Sequence, residues 1–471
     1  MDIRHVVVLM LENRSFDCML GTLYPSNDRF DGLTGTERNV WHKADGTQQT
    51  TAAWTSPDLT QAGACIPDPD PGESFDDIHT QLHGLTSGGP NMSGFVDNYM
   101  RQPPDKSATD PPFDPAATMH CFTPEALPAM STLARAFGVS DRWHASAPCQ
   151  TWPNRFFTHA ATAGGYINNA PTHFPYRMET VFNRLESVKQ TWRVYFHDIP
   201  QSAALAKLWT DIPTHFHHYE EDFARDAASG SLPAYSFIEP RYFTDTVLGK
   251  MPNDQHPPHD VSHGDALIAS VYNAVRTGPG WKNTLLIVTY DEHGGCYDHV
   301  PPPPAVSPDD LRPDGFDFGS FGVRVPALII SSYVKPGSVI RPHGPTPFDH
   351  TSISATLGRL FGFPPLTRRD AAAPDLLEAL TGDGGNDGPP VVQANEATPG
   401  PAQIARSAAR QPNSMQHALN AAALRLPAAG ADIAAHVHGL ASTPDPSPAP
   451  GPVAMAAETV AAKVRAFLGR L

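Results

Sequence analysis

The chain has 471 residues, of which 40% are hydrophobic, and a formal net charge of −16. This length allows one large domain or two ordinary ones with a sizeable core, and the acidic balance excludes non-specific nucleic-acid binding, which needs a basic surface. Five cysteines without any CxxC spacing do not fit a disulfide framework or a structural zinc site.

The first predicted element is a buried strand. Residues 6–11 form an uninterrupted apolar run, which is typical of a strand covered on both faces and is too short to span a membrane. The run leads directly into Glu12 and Asn13. No basic segment with a long apolar stretch and a cleavage site precedes it, so the sequence as given predicts a cytoplasmic protein. A secreted or periplasmic protein whose leader had been removed would look the same.

Two segments are predicted to be long loop insertions. Residues 40–115 and 295–320 are both rich in Pro, Gly, Asp and Thr, which favour turns and loops. The segment 124–138 is a candidate helix between them.

A candidate nucleophile lies in the segment 146–165. Pro153 is well placed for the first turn of a helix, so Thr151 is predicted just ahead of the helix N-terminus, where free N–H groups and the helix dipole favour an anion such as phosphate. A threonine hydroxyl bound to a divalent cation becomes a stronger nucleophile. Asn154 and Arg155 are donors suited to phosphate oxygens or to bracing the loop. The alternative for Thr151 is helix capping, which is common for threonine.

Histidines are abundant, at 22 residues. His197 follows an apolar, strand-like stretch, and His256 lies in a rigid loop flanked by prolines. Either one is a candidate to protonate a leaving oxygen or to bind a phosphate oxygen. A single histidine is more often a surface residue or a hydrogen-bonded core residue.

The second half of the chain predicts a helix at residues 264–278 and buried strands at 284–290 and 325–331. The three predicted strands are continuous apolar runs of parallel-sheet character. With helices between them, the pattern predicts an α/β fold in which a doubly wound, mostly parallel sheet has helices on both faces and long loop insertions.

Polar side chains follow two of these strands. Glu12 and Asn13 end the first, and Asp291 and Glu292 end the strand at 284–290. Open α/β sheets bind ligands at the carboxyl ends of their strands, and oxygen ligands converging on one point repel one another unless a cation lies between them. The pattern therefore predicts a divalent-metal site. The alternative is that Glu12 and Asn13 only turn the chain after the strand.

The C-terminal part has a different composition. We expect a catalytic domain at residues 1–380, a Gly- and Pro-rich linker at 381–400 and an Ala-rich, partly helical extension at 401–471. The sequence leaves open whether the extension is a packing layer or an appendage.

The long motifs of the chain resemble one known family. "VVVLMLENRSFDCMLG", "TWPNRFF", "HPPHDVSHGDALI", "TLLIVTYDEHGGCYDHVPPP", "FGVRVPALIISSYVKPGSV" and "FDHTSI" resemble the bacterial phosphoesterase family of non-haemolytic phospholipases C and acid phosphatases. The resemblance spans about residues 4–360 and implies an alkaline-phosphatase-like fold. It also implies a divalent cofactor, with Mg²⁺, Ca²⁺, Mn²⁺ and Zn²⁺ all open.

The resemblance implies a role for each candidate residue. Thr151 matches the nucleophile, which also touches the metal, and His256 and, more weakly, His197 match active-site histidines. The positions that match the family's metal ligands are Glu12, Asn13, Asp291 and Glu292, and we also expect Asn13 and Asn154 to contact the substrate.

One position departs from the family pattern. Glu73 stands where family members often have a histidine, and a carboxylate there would repel a phosphate. Either His79 takes over from the next turn, or the substrate carries a positive charge that Glu73 binds.

The predicted function is hydrolysis of phosphate esters through a phospho-threonine intermediate, most simply phospholipase C-type cleavage of a diester. The alternatives are an acid phosphatase for soluble monoesters and a non-catalytic binding protein on the same scaffold. The expected partner is a phosphate ester, with a phospholipid headgroup as one candidate. We expect no nucleic acid and no transmembrane segment, and the oligomeric state stays open.

Overall fold

The computed structural model describes residues 1–56, 61–103 and 111–426. Its strands are β1 His5–Leu11, β2 Arg38–His42, β3 Gln48–Ala52, β4 Trp54–Ser56, β5 His120–Phe122, β6 Gly138–Ser140, β7 Trp192–Phe196, β8 Phe216–His218, β9 Tyr235–Glu239, β10 Thr284–Tyr290, β11 Ala327–Ile330 and β12 Ser338–Val339. Its α-helices are α1 Phe16–Leu20, α2 Gln61–Ala64, α3 Phe75–His83, α4 Phe95–Tyr99, α5 Pro128–Ala136, α6 Thr151–Ala160, α7 Val181–Ser187, α8 Ile212–His215, α9 Ala224–Ser229, α10 Val261–Thr277, α11 Thr351–Phe361, α12 Arg368–Ala372, α13 Pro401–Ala408 and α14 Ser414–Leu424.

The main sheet has eight strands within these described ranges, in the order β12-β6-β11-β10-β1-β9-β7-β8. β1 lies near its middle and pairs in parallel with β10 on one side and β9 on the other. Every residue of β10 and β9 is buried, as are six of the seven residues of β1. Strands buried in this way are covered on both faces, which confirms the predicted doubly wound, mostly parallel α/β sheet.

The register between the two central strands positions the polar residues that follow them. Leu11 of β1 pairs with Tyr290 of β10, the last residue of each strand. Since the two strands run in parallel, Glu12 and Asp291 leave the sheet at the same level of the same edge.

The direction of β11 corrects the sequence prediction. The apolar run at 325–331 contains β11, which pairs with β10 and with β6 in the antiparallel sense. A continuous apolar run shows that both faces of a strand are covered but carries no information on its direction. The connection from β10 to β11 contains no helix, so the chain does not make the crossover that a parallel pair requires.

The predicted helices are present with shifted ends. The segment 264–278 overlaps α10, which ends at Thr277 and begins earlier, at Val261, where the N-cap Asp260 accepts a hydrogen bond from the Ser262 N–H. The segment 124–138 contains α5. α10 packs against α5, α9 and the central strands, whereas α6 packs against α7 and α11. No helix in the described part of the chain combines the length and apolar character that crossing a membrane requires.

The insertion predicted at 40–115 has regular structure of its own, which the loop prediction missed. β2 and β3 form an antiparallel pair, and α3 packs against α4. The abundant Pro, Gly, Asp and Thr of this segment hide these elements in the sequence, although Ile78, Leu82, Phe95 and Val96 of α3 and α4 are part of a buried apolar cluster.

The segment after residue 380 packs on the rest of the molecule as far as it is described. Val392, Met415 and Leu419 belong to the main hydrophobic core. The candidate closing helix at the extreme C-terminus lies outside the described residues.

Candidate active site

The chain turns sharply at Asn13, directly after β1. Asn13 has a positive φ of 55°, a conformation that asparagine tolerates better than most residues. Gly294 of the loop after β10 packs against it so closely that a Cβ at Gly294 would lie 2.2 Å from the Asn13 carbonyl oxygen. The loops after β1 and β10 therefore pack directly against each other, and this contact requires a glycine at position 294.

Side chains from the two loops meet at this point. The Asn13 N–H donates to Asp291 Oδ1 over 3.1 Å, and the Asn13 side-chain amide donates to Glu292 Oε1 over 2.6 Å. The Asp291 carboxylate also accepts from the Glu292 N–H over 2.7 Å. Glu12, Asn13, Asp291 and Glu292 are all fully buried or 1% exposed. Asn13, Asp291 and Glu292 are thus in direct hydrogen-bonding contact, whereas Glu12 is linked to Asp291 through Arg155.

Arg155 of α6 lies between two of these carboxylates. Its NH2 group lies 3.1 Å from Glu12 Oε1, and its Nε lies 3.1 Å from Asp291 Oδ2. The same side chain also donates to the carbonyl oxygens of Met10 and Leu11. Arg155 therefore fixes the spacing of the two strand ends, so its role is positioning within the protein.

The electrostatics of the group fit a cation. Burial raises the pKa of Glu12 well above its ordinary value against the pull of Arg155, and the charge of Asp291 raises it further. Burial and the charges of Glu73 and Asp291 also raise the pKa of Glu292 well above its ordinary value. Glu12 Oε2 is buried with no hydrogen-bonding partner among the described residues. Buried carboxylates that repel one another, with one oxygen unsatisfied, are what a hard divalent cation would stabilise.

A second acidic cluster lies apart from this group. Asp17, Asp298 and His299 have ligand atoms within 4.8 Å of one another, and they form the one such set of three found in the described ranges. Arg324 lies between both aspartates, 3.0 Å from Asp17 Oδ1 and 3.0 Å from Asp298 Oδ1. His299 also contacts Asp31. The charges of this cluster are paired by protein side chains, so the structure favours a salt-bridge network that holds the loop.

Thr151 is the first residue of α6, one position further into the helix than the sequence predicts. Gln150 is the N-cap residue, and its side chain makes no capping hydrogen bond. The Thr151 hydroxyl is fully buried and points to Asn13 Oδ1 at 3.5 Å. Thr151 therefore does not act as the N-cap, and it lies beside the carboxylate group at the positive end of a helix dipole.

His256 faces the same group through Glu73. Its Nδ1 donates to the Pro257 carbonyl over 2.6 Å and lies 3.7 Å from Asp70 Oδ1. Its Nε2 lies 3.4 Å from Glu73 Oε2. Burial by itself would lower the pKa of His256, but the carboxylates of Asp70, Glu73 and Glu12 together raise it well above its ordinary value. His256 is thus positioned as a buried, protonated imidazolium.

Glu73 is part of this site. Its carboxylate accepts from the side-chain amide of Asn13 and from the hydroxyl of Ser414, and it faces His256. Burial acts to raise the pKa of Glu73, but the hydrogen bond and charge of His256 keep it below the ordinary value. A negatively charged Glu73 is therefore stabilised by its neighbours without any cationic substrate.

Three predicted residues have other contacts. The Asn154 amide is fully used by the loop ahead of α6, where it bonds to Ala147 and Cys149, which favours the bracing role over substrate binding. His79 is exposed and its ring stacks on His83, so the structure does not bring it to Glu73. His197 donates to the Glu239 carbonyl and stacks on a tyrosine, and its catalytic role stays a prediction.

Other residues of the site were not predicted from the sequence. The Gln201 side chain donates to Glu12 Oε1, Asp70 lies beside His256, and Ser414 contacts Glu73 from α14. Asp70 lies three residues before Glu73 in a proline-rich segment, and this proximity was a usable signal. Gln201 and Ser414 have no sequence motif, since only the folding of distant segments brings them here.

The sequence is similar to a known protein family and to several named proteins. The model of the phosphoesterase family matches residues 3–364. Non-specific phospholipase C1 of Arabidopsis thaliana is 40% identical over 391 residues, which cover 79% of this chain and 69% of that protein. Phospholipase C B of Mycobacterium tuberculosis is 30% identical over 444 residues, covering 80% and 78%.

Among solved structures, a protein in the alkaline phosphatase superfamily from Vibrio parahaemolyticus is similar with 12% identity and a TM-score of 0.30. The match covers 55% of this chain and 65% of that one.

Proposed function

The chain belongs to the phosphoesterase family and is a phosphoric ester hydrolase, and from this premise we propose that it cleaves phosphodiesters in the manner of a phospholipase C, through a phospho-threonine intermediate and with a divalent cation. The relatives named phospholipase C in Arabidopsis thaliana and Mycobacterium tuberculosis support the diester. The identity of the cation stays open among Mg²⁺, Ca²⁺, Mn²⁺ and Zn²⁺.

One observation carries the proposal. Thr151 starts α6 with its hydroxyl 3.5 Å from Asn13 Oδ1, and Asn13 in turn donates hydrogen bonds to Asp291 and Glu292. A nucleophile, a helix N-terminus and a set of oxygen ligands thus lie at one point. A threonine that only capped the helix would not need acidic residues near its hydroxyl.

The residues of the chain have separable tasks in this reaction. Asn13, Thr151, Glu12, Asp291 and Glu292 are the residues that would hold the cation. A divalent cation bound there would make the Thr151 hydroxyl more acidic and offset the carboxylate charges. The N-terminus of α6 directs N–H groups and its positive dipole end toward the phosphoryl oxygens.

The first step forms the Thr151 Oγ–phosphorus bond, with the hydroxyl proton released to water, and breaks the bond from phosphorus to the leaving oxygen. His256 gives the proton at Nε2 to that oxygen, and Glu73 and Asp70 hold the imidazolium in place beforehand. In the second step a water molecule attacks the phospho-threonine and gives a proton to His256, and the Thr151 oxygen takes up a proton from water as its bond to phosphorus breaks.

A soluble phosphomonoester is a second candidate substrate. The site residues are buried, with Thr151, Glu12 and His256 all 0% exposed, and an enclosed site suits a small ester.

The test compares p-nitrophenyl phosphorylcholine with p-nitrophenyl phosphate as substrates of the purified protein. The proposal predicts a higher kcat/KM for the diester than for the monoester. Preference for the monoester would favour the phosphatase, and no cleavage of either ester with any of the four cations would contradict hydrolase function at this site.

A further inference from the structure

The motif "FDHTSI" leads into α11 and contains two buried polar residues outside the candidate cation site. Asp349 is 1% exposed and His350 is fully buried. His350 occupies the N-cap position of α11, but its side chain makes no capping hydrogen bond. The two side chains instead contact two separate segments that carry residues of the site.

His350 holds the backbone of Asp291. Its Nδ1 lies 3.4 Å from Trp143 Nε1, and an indole nitrogen can only donate a hydrogen bond, so Nδ1 accepts and Nε2 carries the proton. Nε2 therefore donates to the Asp291 carbonyl oxygen over 2.6 Å. On its other side, the Asp291 N–H donates to the Leu11 carbonyl oxygen over 3.2 Å. The peptide groups before and after the Asp291 Cα are both held, which restricts the direction of its carboxylate.

Asp349 holds the segment that leads to Thr151. Its Oδ2 accepts from the Ser146 hydroxyl over 2.8 Å, and its Oδ1 accepts from the Thr351 hydroxyl over 2.6 Å. The Nη1 of Arg369 lies 3.6 Å from Asp349 Oδ2 and donates to the Ser146 carbonyl oxygen over 2.8 Å. Ser146, which lies five residues before Thr151, is therefore held through both its hydroxyl and its carbonyl oxygen.

Two neighbouring residues thus connect the two halves of the candidate site. Asp349 contacts the loop before α6, and His350 contacts the loop after β10. α11, which follows them directly, also packs against α6. A shift of one loop relative to the other would break a buried hydrogen bond of this pair, and a buried polar group without a partner is unfavourable.

We propose that Asp349 and His350 are positioning residues, which hold Thr151 and Asp291 in the relative position that the reaction requires. Both act through other groups, Asp349 through Ser146 and His350 through the Asp291 peptide. The inference rests on the proposed function and extends it, because it assigns the geometry of the nucleophile and of one cation ligand to two further residues. An error of about 1 Å in such a geometry can lower a rate by about 100-fold.

Two substitutions at His350 test its contact with Asp291. H350F removes the donor to the Asp291 carbonyl oxygen and should weaken Mn²⁺ binding to the purified protein by about tenfold or more, the effect of losing a hydrogen bond that orients a metal ligand. H350Q keeps an N–H donor near the position of Nε2 and should bind Mn²⁺ as tightly as the parent. Isothermal titration calorimetry measures both affinities. Equal affinities in H350F and the parent, or equal losses in H350F and H350Q, would overturn the role of His350.

A substitution at Ser146 tests the contact of Asp349. S146A removes the hydroxyl that donates to Asp349 and should lower kcat for p-nitrophenyl phosphorylcholine by about tenfold, whereas Mn²⁺ affinity should not change because every carboxylate is retained. The matched control is T356V in α11, because Thr356 is fully buried and donates to the Ser352 carbonyl oxygen of its own helix. T356V should lower Tm without changing kcat. A parent-like kcat in S146A, or equal losses of kcat in S146A and T356V, would overturn the role of Asp349.

Hydrogen exchange tests His350 without a cation and without catalysis. In the presence of a chelator, H350F should increase amide exchange in the peptide covering 290–295, which includes the Asp291 N–H bonded to Leu11. H350Q and T356V should not increase it. Unchanged exchange in H350F would overturn the positioning role. If the parent protein cleaves no phosphate ester, the proposed function fails, but an increase in H350F alone would still support the contact.

Discussion

Leu11 and Tyr290 lie opposite each other at the ends of two parallel central strands. This pairing places Glu12 and Asp291 side by side, and Arg155 from α6 contacts both carboxylates at 3.1 Å. Because α6 also begins with Thr151, one helix and two strand ends position the proposed nucleophile and its charged surroundings together.

The nucleophile is tested by two isosteric changes in α6. T151V should lower kcat by about 10³-fold or more, since the residue that forms the covalent intermediate is lost. Thr158 of the same helix is equally buried and donates only to the Met10 sulfur, so T158V should keep turnover within a few-fold of the parent. Steady-state kinetics with p-nitrophenyl phosphorylcholine measure both. Similar rates in T151V and the parent would rule out Thr151 as the nucleophile.

Arg155 should be important for stability as well as activity. R155M leaves Glu12 and Asp291 without their buried cationic partner, which costs about 3–5 kcal/mol in comparable sites. Thermal unfolding in the presence of a chelator should therefore show a clear decrease in Tm.

The matched control is R4M, because Arg4 pairs with Asp2 at the surface with both side chains more than half exposed, and such pairs contribute ~0–1 kcal/mol. Equal Tm values for R155M and R4M would contradict the buried role of Arg155.

The network around His299 predicts a pH dependence of stability. Burial would lower the pKa of His299, but Asp17 and Asp31 raise it from 6.5 to about 10. A raised pKa means that protonated His299 contributes its full stabilisation below pH 6.5 and loses it as the pH rises through 10. The hydrogen bond from His299 is also the main cause that lowers the pKa of Asp31 from 3.8 to about 2. The contribution of ionised Asp31 to the stability of the fold is therefore lost as the pH falls through 2.

The measurement is the difference in Tm between the parent and H299Q. It should be larger at about pH 5.5 than at about pH 10.5. Addition of divalent cations should leave this difference unchanged, because Arg324 already pairs Asp17 and Asp298. A cation-dependent difference would instead indicate a metal at this cluster.

Removal of the cation should inactivate the enzyme and destabilise it. With a chelator, the buried carboxylates of Glu12, Asp291 and Glu292 lose their counter-charge, so we expect both activity and Tm to fall. Return of Mg²⁺, Ca²⁺, Mn²⁺ or Zn²⁺ one at a time should restore both together for the ion that the site selects. Full activity in the presence of a strong chelator would contradict metal dependence.

The sequence predicted the centre of the fold because its signals there are local. The apolar runs of β1 and β10 are each followed by carboxylates, and the general rule for parallel strands was sufficient to bring Glu12 and Asp291 together. The direction of β11 was not predictable, since burial on both faces looks the same for either direction. The Asn154 amide was assigned to substrate, but its hydrogen bonds to Ala147 and Cys149 depend on how the preceding loop folds.

The remaining parts of the site depend on contacts between distant segments. Ser414 lies 341 positions from Glu73, and Gln201 is in a short turn of 3₁₀-helix with no motif of its own. His79 was a reasonable substitute for a missing histidine by spacing alone, but the face of α3 on which it lies is turned to solvent. The cellular location and the role of His197 stay predictions.

The central claim is that a divalent cation binds between the ends of β1 and β10 beside Thr151. Anomalous diffraction from crystals of active protein, collected at the absorption edge of bound Mn²⁺ or Zn²⁺, tests it most directly. The account predicts one strong peak coordinated by Glu12, Asn13, Thr151, Asp291 and Glu292. A peak only at Asp17, Asp298 and His299, or no peak in fully active protein, would contradict it.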